Sequence, residues 1–313
     1  MNGAVVLHII TYAAIATFLL VCVVRFIRVF SMPMHVRWEL YPVPHEGGER
    51  AKYGGSALEE LDWWTKPKNK SMVDQMKAMF LEMVLLEALF EHNRKLWYRS
   101  FPFHFGLYVL IGGLGLIVAG AVLENGITIS MEPGVNPLGT AIYYLTPIVM
   151  VVGLILGTLG TLGLIQRRLF DRELADYTSP AARFNLLFFL VVFVVAWLTF
   201  IIADPMYTMT RSYVWSLLTF DLSHPAGHAL LAIEVILAVA LIAYIPMTHM
   251  AHFFIKWFTW DRIRWDDEPN FRGSKIEAKV IEQVQYPVTW SAAHINADGK
   301  KNWVDIATEE MEK

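Results

Sequence analysis

A chain of 313 residues that is 55% hydrophobic, with mean hydropathy +0.41 and formal net charge −3, is more apolar than a soluble domain of this length. Its single cysteine, Cys22, excludes an internal disulfide, a cysteine-ligated iron–sulfur cluster and a zinc knuckle built by this chain alone. No nucleic-acid partner is expected.

Five apolar runs are long enough to cross a bilayer, which takes roughly 20 helical residues. The first lies near 4–29. It has no basic leading region and is too long for a cleaved signal; Arg25 and Arg28 follow it as a stop-transfer flank. A polar stretch, about 31–100, comes next and opens with the turn-rich RWELYPVPHEGGER. Its second half, SMVDQMKAMFLEMVLLEALFEHNRKLW, has helical periodicity, with Met79, Met83, Leu86 and Phe90 on one face and Lys77, Glu87, Glu91 and Arg94 elsewhere. That predicts an amphipathic helix, lying at the membrane surface, against a partner or on the loop itself. The second run, near 102–124, is glycine-rich, and the third, near 138–165, carries Gly153, Gly157, Gly160 and Gly163 at a spacing that suits close helix packing. The fourth lies near 184–203 and the fifth near 226–255. The tail, 257–313, is polar and tryptophan-bearing, too short for a robust core of its own, and is expected to drape over a cytoplasmic partner.

Backbone groups in lipid must be paired within the segment, so each run reads as a helix, and the alternation of a β-barrel is missing. The expected fold is an all-α membrane protein: a first transmembrane helix (1–30), a loop with an amphipathic helix (31–100), a four-helix membrane core (101–256) and a docking tail (257–313). Lys and Arg are concentrated after the first, third and fifth runs, for example Arg94, Lys95 and Arg99, then Arg167 and Arg168, then Lys256. The loop after the second run has no Lys or Arg, and that after the fourth has only Arg211. The positive-inside rule then places the N-terminus outside and the tail in the cytoplasm.

Imidazoles are costly inside a bilayer and mark function by default. His104 lies five residues beyond Arg99 on the second run, and His252 four residues before Lys256 on the fifth. Both fall just below the cytoplasmic surface on different helices, which is the geometry of a bis-histidine haem b. Gly106, Gly112, Gly113, Gly115 and Gly120 would let a flat macrocycle approach, and Pro246 should kink the fifth helix and re-aim its ligand. His249 competes for the same axial position, its direction differing from that of His252 by about 60° on a helix. A histidine that merely hydrogen-bonds across helices is the bland alternative.

The motifs FPFHFG, LGLIQRRLFDRELADYTSPAARFNLLFFLVVF and IPMTHMAHFF, in that order across about 100–256, resemble the cytochrome b (gamma) subunit of respiratory nitrate reductase. The resemblance implies His104 and His252 as ligands of the haem nearer the cytoplasm, with His249 at a non-ligand basic position. It also implies a second haem, but the corresponding positions hold Leu114 and Glu234. Candidates to ligate a haem nearer the outside are then His8, His224 and His228. HVRWELYPVPHE and the amphipathic stretch resemble the cytochrome b subunits of sulfate-reducer transmembrane redox complexes of the Tmc type, and also the Hmc and Dsr types. Such relatives imply electron exchange between menaquinone or a periplasmic multihaem cytochrome c and a cytoplasmic iron–sulfur partner of the heterodisulfide-reductase type. Glu234, deep in the fifth run with His228 two turns away, is a candidate quinone or proton site. Arg99, Arg167 and Arg168 are candidates to pair with haem propionates or acidic partner residues. A transporter lacks support because no inverted repeat is visible. A non-haem membrane anchor for a cytoplasmic redox protein is the remaining alternative.

Overall fold

Capping residues set the limits of the long helices. The structure is a computed structural model and describes residues 2–31, 46–67, 69–171, 178–256, 271–291 and 295–309. Its helices are α1 (Gly3–Ser31), α2 (Glu49–Lys52), α3 (Met72–Phe80), α4 (Glu87–His92), α5 (Arg94–Asn125), α6 (Pro137–Phe170), α7 (Pro180–Ile202), α8 (Thr208–Leu218), α9 (Ala229–Tyr244), α10 (Lys275–Val284) and α11 (Trp303–Thr308). Asn93 accepts the Leu96 N–H at the start of α5, Asn136 precedes Pro137 at the start of α6, and Ser179 precedes Pro180 at the start of α7. Helices α1, α5, α6, α7 and the stretch Ala229–Met247 are each long and apolar enough to cross a membrane, and the chain is a multi-pass membrane protein.

The chain divides into two compact units: Met1–Val21 with Phe80–Met250, and Cys22–Met79 with Ala251–Lys313. In the first, α5 runs along α6 at very close range. A Cβ on Gly106 would collide with the Gly157 backbone nitrogen, and one on Gly160 with the Phe103 backbone nitrogen. Only glycine allows that approach. α7 packs on α6, and α9 on α7. The main core joins Phe103, Leu154, Phe189, Phe193 and Leu241 from these four helices. At the other end, α8 packs on α5. A second cluster there holds Leu7, Tyr213, Ala226 and Leu231. We call the end of the bundle that carries Arg94 and Arg99 the basic end, and the end at Asn125 the opposite end.

In the second unit, the Glu46 carboxylate accepts from Ser56 Oγ at 2.8 Å and from the Ala57 N–H. Ser274 caps α10, and Asn302 with Asp305 forms a reciprocal capping box at α11. Val288 N–H donates to Lys301 O at 2.9 Å, which ties the two short tail helices into one local structure. HVRWELYPVPH, most of the polar stretch of the third-to-fourth connection and Trp257, Trp260 and Trp265 lie outside the described residues.

Two expected helices are broken. The amphipathic stretch forms α3, a π-helical turn at Leu81–Leu85, Leu86 in the left-handed region (φ 54°) and α4. The fifth run is helical only from Ala229 to Tyr244. Pro246 has no N–H and would clash with the carbonyl four residues back, so a 3-10 turn (Ile245–Met247) replaces the α-helix. Three of the glycines beyond His104 serve helix packing: Gly106 admits α6, Gly113 admits the Met150 side chain and Gly120 admits Arg211, whereas Gly112 and Gly115 face open space.

Substituting Gly160→Leu should therefore force α5 from α6 and cost about 1–3 kcal/mol, read as a lowered thermal unfolding midpoint in detergent. Gly112→Ala, at an open position of the same helix, should leave that midpoint unchanged or raise it.

Candidate functional site

His104 sits on α5 near the basic end. Its Nδ1–H donates to the Ser100 carbonyl at 2.8 Å, with Ser100 Oγ 3.3 Å away. That bond fixes the tautomer, so Nε2 carries the lone pair, as the outer bond of a metal-bound histidine does. At about 100° per residue, Phe103, Gly106, Leu110 and Gly113 form the α5 face packed on α6 and α7. His104 falls on the opposite side with Trp97, Phe101 and Tyr108. This is the side against which the Leu81–Leu85 turn is held: Tyr108 Oη donates to Met83 O at 2.8 Å and Trp97 Nε1 to Leu85 O at 2.7 Å. Trp97, Phe101 and Phe105 stack in series along it.

The other two histidines of this end follow the Pro246 break. Thr248 is extended (φ −109°, ψ −174°) and closes one turn while opening the next. Its hydroxyl donates to Ile245 O at 3.0 Å and accepts the Met250 N–H at 3.2 Å. His249 begins the 3-10 turn His249–Ala251, and His252 begins the helical turn 252–256. The two therefore do not share one continuous membrane helix. His249 belongs to the first unit with His104, and His252 to the second.

Just before the break, Tyr244 Oη donates to Asn185 Oδ1 at 2.8 Å, between the rings of Phe184 and Phe188. Asn185 is buried, and its Nδ2 has no hydrogen-bond partner. Such an orphan donor costs about 1–3 kcal/mol and marks a place where an acceptor would be held. Of the candidate arginines, Arg167 is already engaged, by Asp171 at 3.0 Å and Asn93 at 3.3 Å. Arg99 donates to Lys95 O and lies over Gly163.

The opposite end is a dense polar network. His8 is 0% exposed; Nδ1–H donates to Ala4 O at 2.9 Å, and Nε2 lies 2.8 Å from Ser216 Oγ, whose own proton goes to Tyr213 O. Both ring nitrogens are thus engaged by the protein's own groups. Tyr213 Oη donates to Thr11, and Tyr12 Oη to Leu217 O. His228 Nδ1 accepts the Leu230 N–H as the cap of α9, and His224 Nε2 meets Ser212 Oγ at 2.9 Å. Glu234 lies beside Thr199 and is electrostatically coupled to Asp204. Asp204 is satisfied by four bonds, from the Met209 and Thr210 N–H groups and from the Thr208 and Thr210 hydroxyls. Burial first, and then the Glu234 and Asp204 carboxylates, push the Tyr207 phenol far above its ordinary range, so it stays a neutral donor.

Arg211, 1% exposed, meets Glu124 at 3.0 Å, and its Nη1 has no partner. The sequence reading left α8 as a loop and so missed Asp204, Tyr207 and this ion pair. The usable signals were Asp204 four residues before Thr208, a helix-start pattern, and one arginine among apolar residues.

A Glu124→Leu substitution should strand the buried Arg211 cation and cost about 1–3 kcal/mol, less than for a fully buried pair because Glu124 is 38% exposed. The double variant with Arg211→Met should recover most of that loss in the same unfolding measurement. Among known families, curated proteins and solved structures, no match to this chain was found.

Proposed function

We propose that this chain is the haem b membrane subunit of a respiratory redox complex in a bacterial inner membrane. The observation that carries the reading is His104: a membrane-helix imidazole whose Nδ1 is held by the Ser100 carbonyl, the outer bond that a metal-bound histidine makes. The second ligand comes from IPMTHMAHFF. Sequence register favours His252, with His249 its alternative. Haem b bound there supplies one-electron transfer. The chain's own residues set its position and surroundings. The α5–α6 contact fixes the rotation of His104, Thr248 sets the turn that carries His249 and His252, and the orphan Asn185 Nδ2 suits a propionate or another acceptor. The engagement of both His8 nitrogens favours one haem over two.

By the distribution of Lys and Arg, the basic end faces the cytoplasm. There the loops and tail are suited to receive an iron–sulfur partner of the heterodisulfide-reductase type. The opposite end faces the periplasm, open to menaquinone or a multihaem cytochrome c. Glu234 can take a proton released on quinol oxidation, and its neighbours Thr199, Asp204 and Tyr207 lead from the membrane interior toward the surface loop.

Single substitutions test the ligand set in the purified full chain. His104→Ala and His252→Ala should each abolish the dithionite-reduced haem b absorption band, and His249→Ala should retain it. If His104→Ala keeps the band unchanged, the haem site is elsewhere. A colourless wild-type protein that still recruits its cytoplasmic partner would leave only the anchor role. For the quinone site, Glu234→Gln should keep the band while slowing menaquinol-driven reduction at least about tenfold and flattening its dependence on pH. An unchanged rate would remove Glu234 from the reaction.

A further inference from the structure

The segment between α3 and α5 is not explained by electron transfer. From Phe80 to Phe90 it reads FLEMVLLEALF, and no Lys or Arg occurs between Lys77 and Arg94. It carries exposed Phe80 (58%), Leu85 (39%) and Phe90 (38%). A helix that breaks at Leu86 orphans the carbonyls before the break and the N–H groups after it. In water, solvent would satisfy them. Here side chains satisfy three of them. Met83 O takes the Tyr108 hydroxyl, Leu85 O takes the Trp97 indole N–H, and the Glu82 carboxylate takes the Ala88 N–H at 3.0 Å. Internal capping at each of these groups is what a backbone break needs where water is scarce.

The depth agrees. Tyr108 lies nine residues past Arg99, about 13 Å along the axis, and helical side chains lean back toward the N-terminus. The Met83 carbonyl is therefore held between the arginine level and the apolar part of the span. Phe80, Leu85 and Phe90 add exposed apolar surface to that of Tyr98, Tyr108 and Ile111 on α5. Arg94, Lys95 and Arg99 stand at the headgroup level, and the Arg94 guanidinium lies 4.7 Å from the Phe90 ring centre.

We propose that Phe80–His92 is a monotopic element inserted in the basic-end leaflet, its apolar face occupied by lipid acyl chains and its flanking cations at the lipid phosphates. It acts as a collar on the His104 side of α5, keeping water from that face. The inference rests on the membrane reading of the five helices and is independent of whether haem is bound.

The test uses nitroxide labels in full-length protein in lipid nanodiscs. Cys22→Ser first removes the only native thiol. Phe80→Cys, Leu85→Cys and Phe90→Cys are labelled singly, with Ile111→Cys as the acyl reference and Tyr53→Cys as the water reference. Collision rates with oxygen and with a neutral nickel chelate are compared. All three collar labels should resemble the Ile111 label, with oxygen dominant. Adding Tyr108→Phe, which leaves Met83 O uncapped, should shift the label at 85 toward the nickel chelate. Nickel-dominant labels at 80, 85 and 90 would place the segment in water. Labels shielded from both reagents would mean that protein covers it. Either overturns the proposal. If the Ile111 label itself reports water, the membrane reading has failed instead.

Discussion

The contact between α5 and α6 governs the arrangement of the first unit. Gly106 against Gly157 and Gly160 against Phe103 bring the two backbones to a distance no Cβ would permit. In lipid there is no hydrophobic gain from pairing apolar helices, so dispersion at such close range must supply the association. The same contact fixes the rotation of α5 about its axis. With Phe103 and Gly106 turned to α6, His104 is turned away from it, toward Trp97 and Tyr108. The orientation of the candidate ligand follows from packing at residues that never touch it.

The second constraint is the cost of polar groups where water is scarce. His8, Asp204 and Thr11 are each fully engaged, and Tyr213 and Tyr12 cap acceptors on neighbouring elements. Against that background, among the described residues, two buried donors have no partner: Asn185 Nδ2 at the basic end and Arg211 Nη1 at the opposite end. They lie at the two ends where electrons would enter and leave in the proposed function. The His8 imidazole has both nitrogens bound by the fold, and the His104 Nδ1 is held by the Ser100 carbonyl.

The five spans were legible because each combines length with apolar composition; the caps Asn93, Asn136 and Ser179 fix the starts of three of them more closely than the apolar runs do. The fifth span was legible at its beginning and misleading at its end. Apolar residues continue to Phe254, but Pro246 overrides them, and Thr248 then rebuilds a turn that puts His249 and His252 on a new segment. The glycines after His104 were ambiguous in principle: room for a macrocycle and room for a helix require the same missing Cβ, and only the partner tells them apart. The amphipathic stretch shows a further limit. Periodicity found its apolar face, but not the left-handed Leu86 or the side chains of α5 that cap the break, because those depend on residues 11 or more positions away. The ion pair of Arg211 with Glu124 was hidden for the same reason, its members lying 87 residues apart.

In the proposed function, His104 and the histidines beyond the proline break are the candidate axial ligands. The most direct test is the pyridine haemochrome of the purified full-length wild-type chain, quantified against protein. The account predicts one b-type haem per chain. A preparation that is folded, membrane-inserted and free of haem, and that stays so after supply of haem, would contradict it.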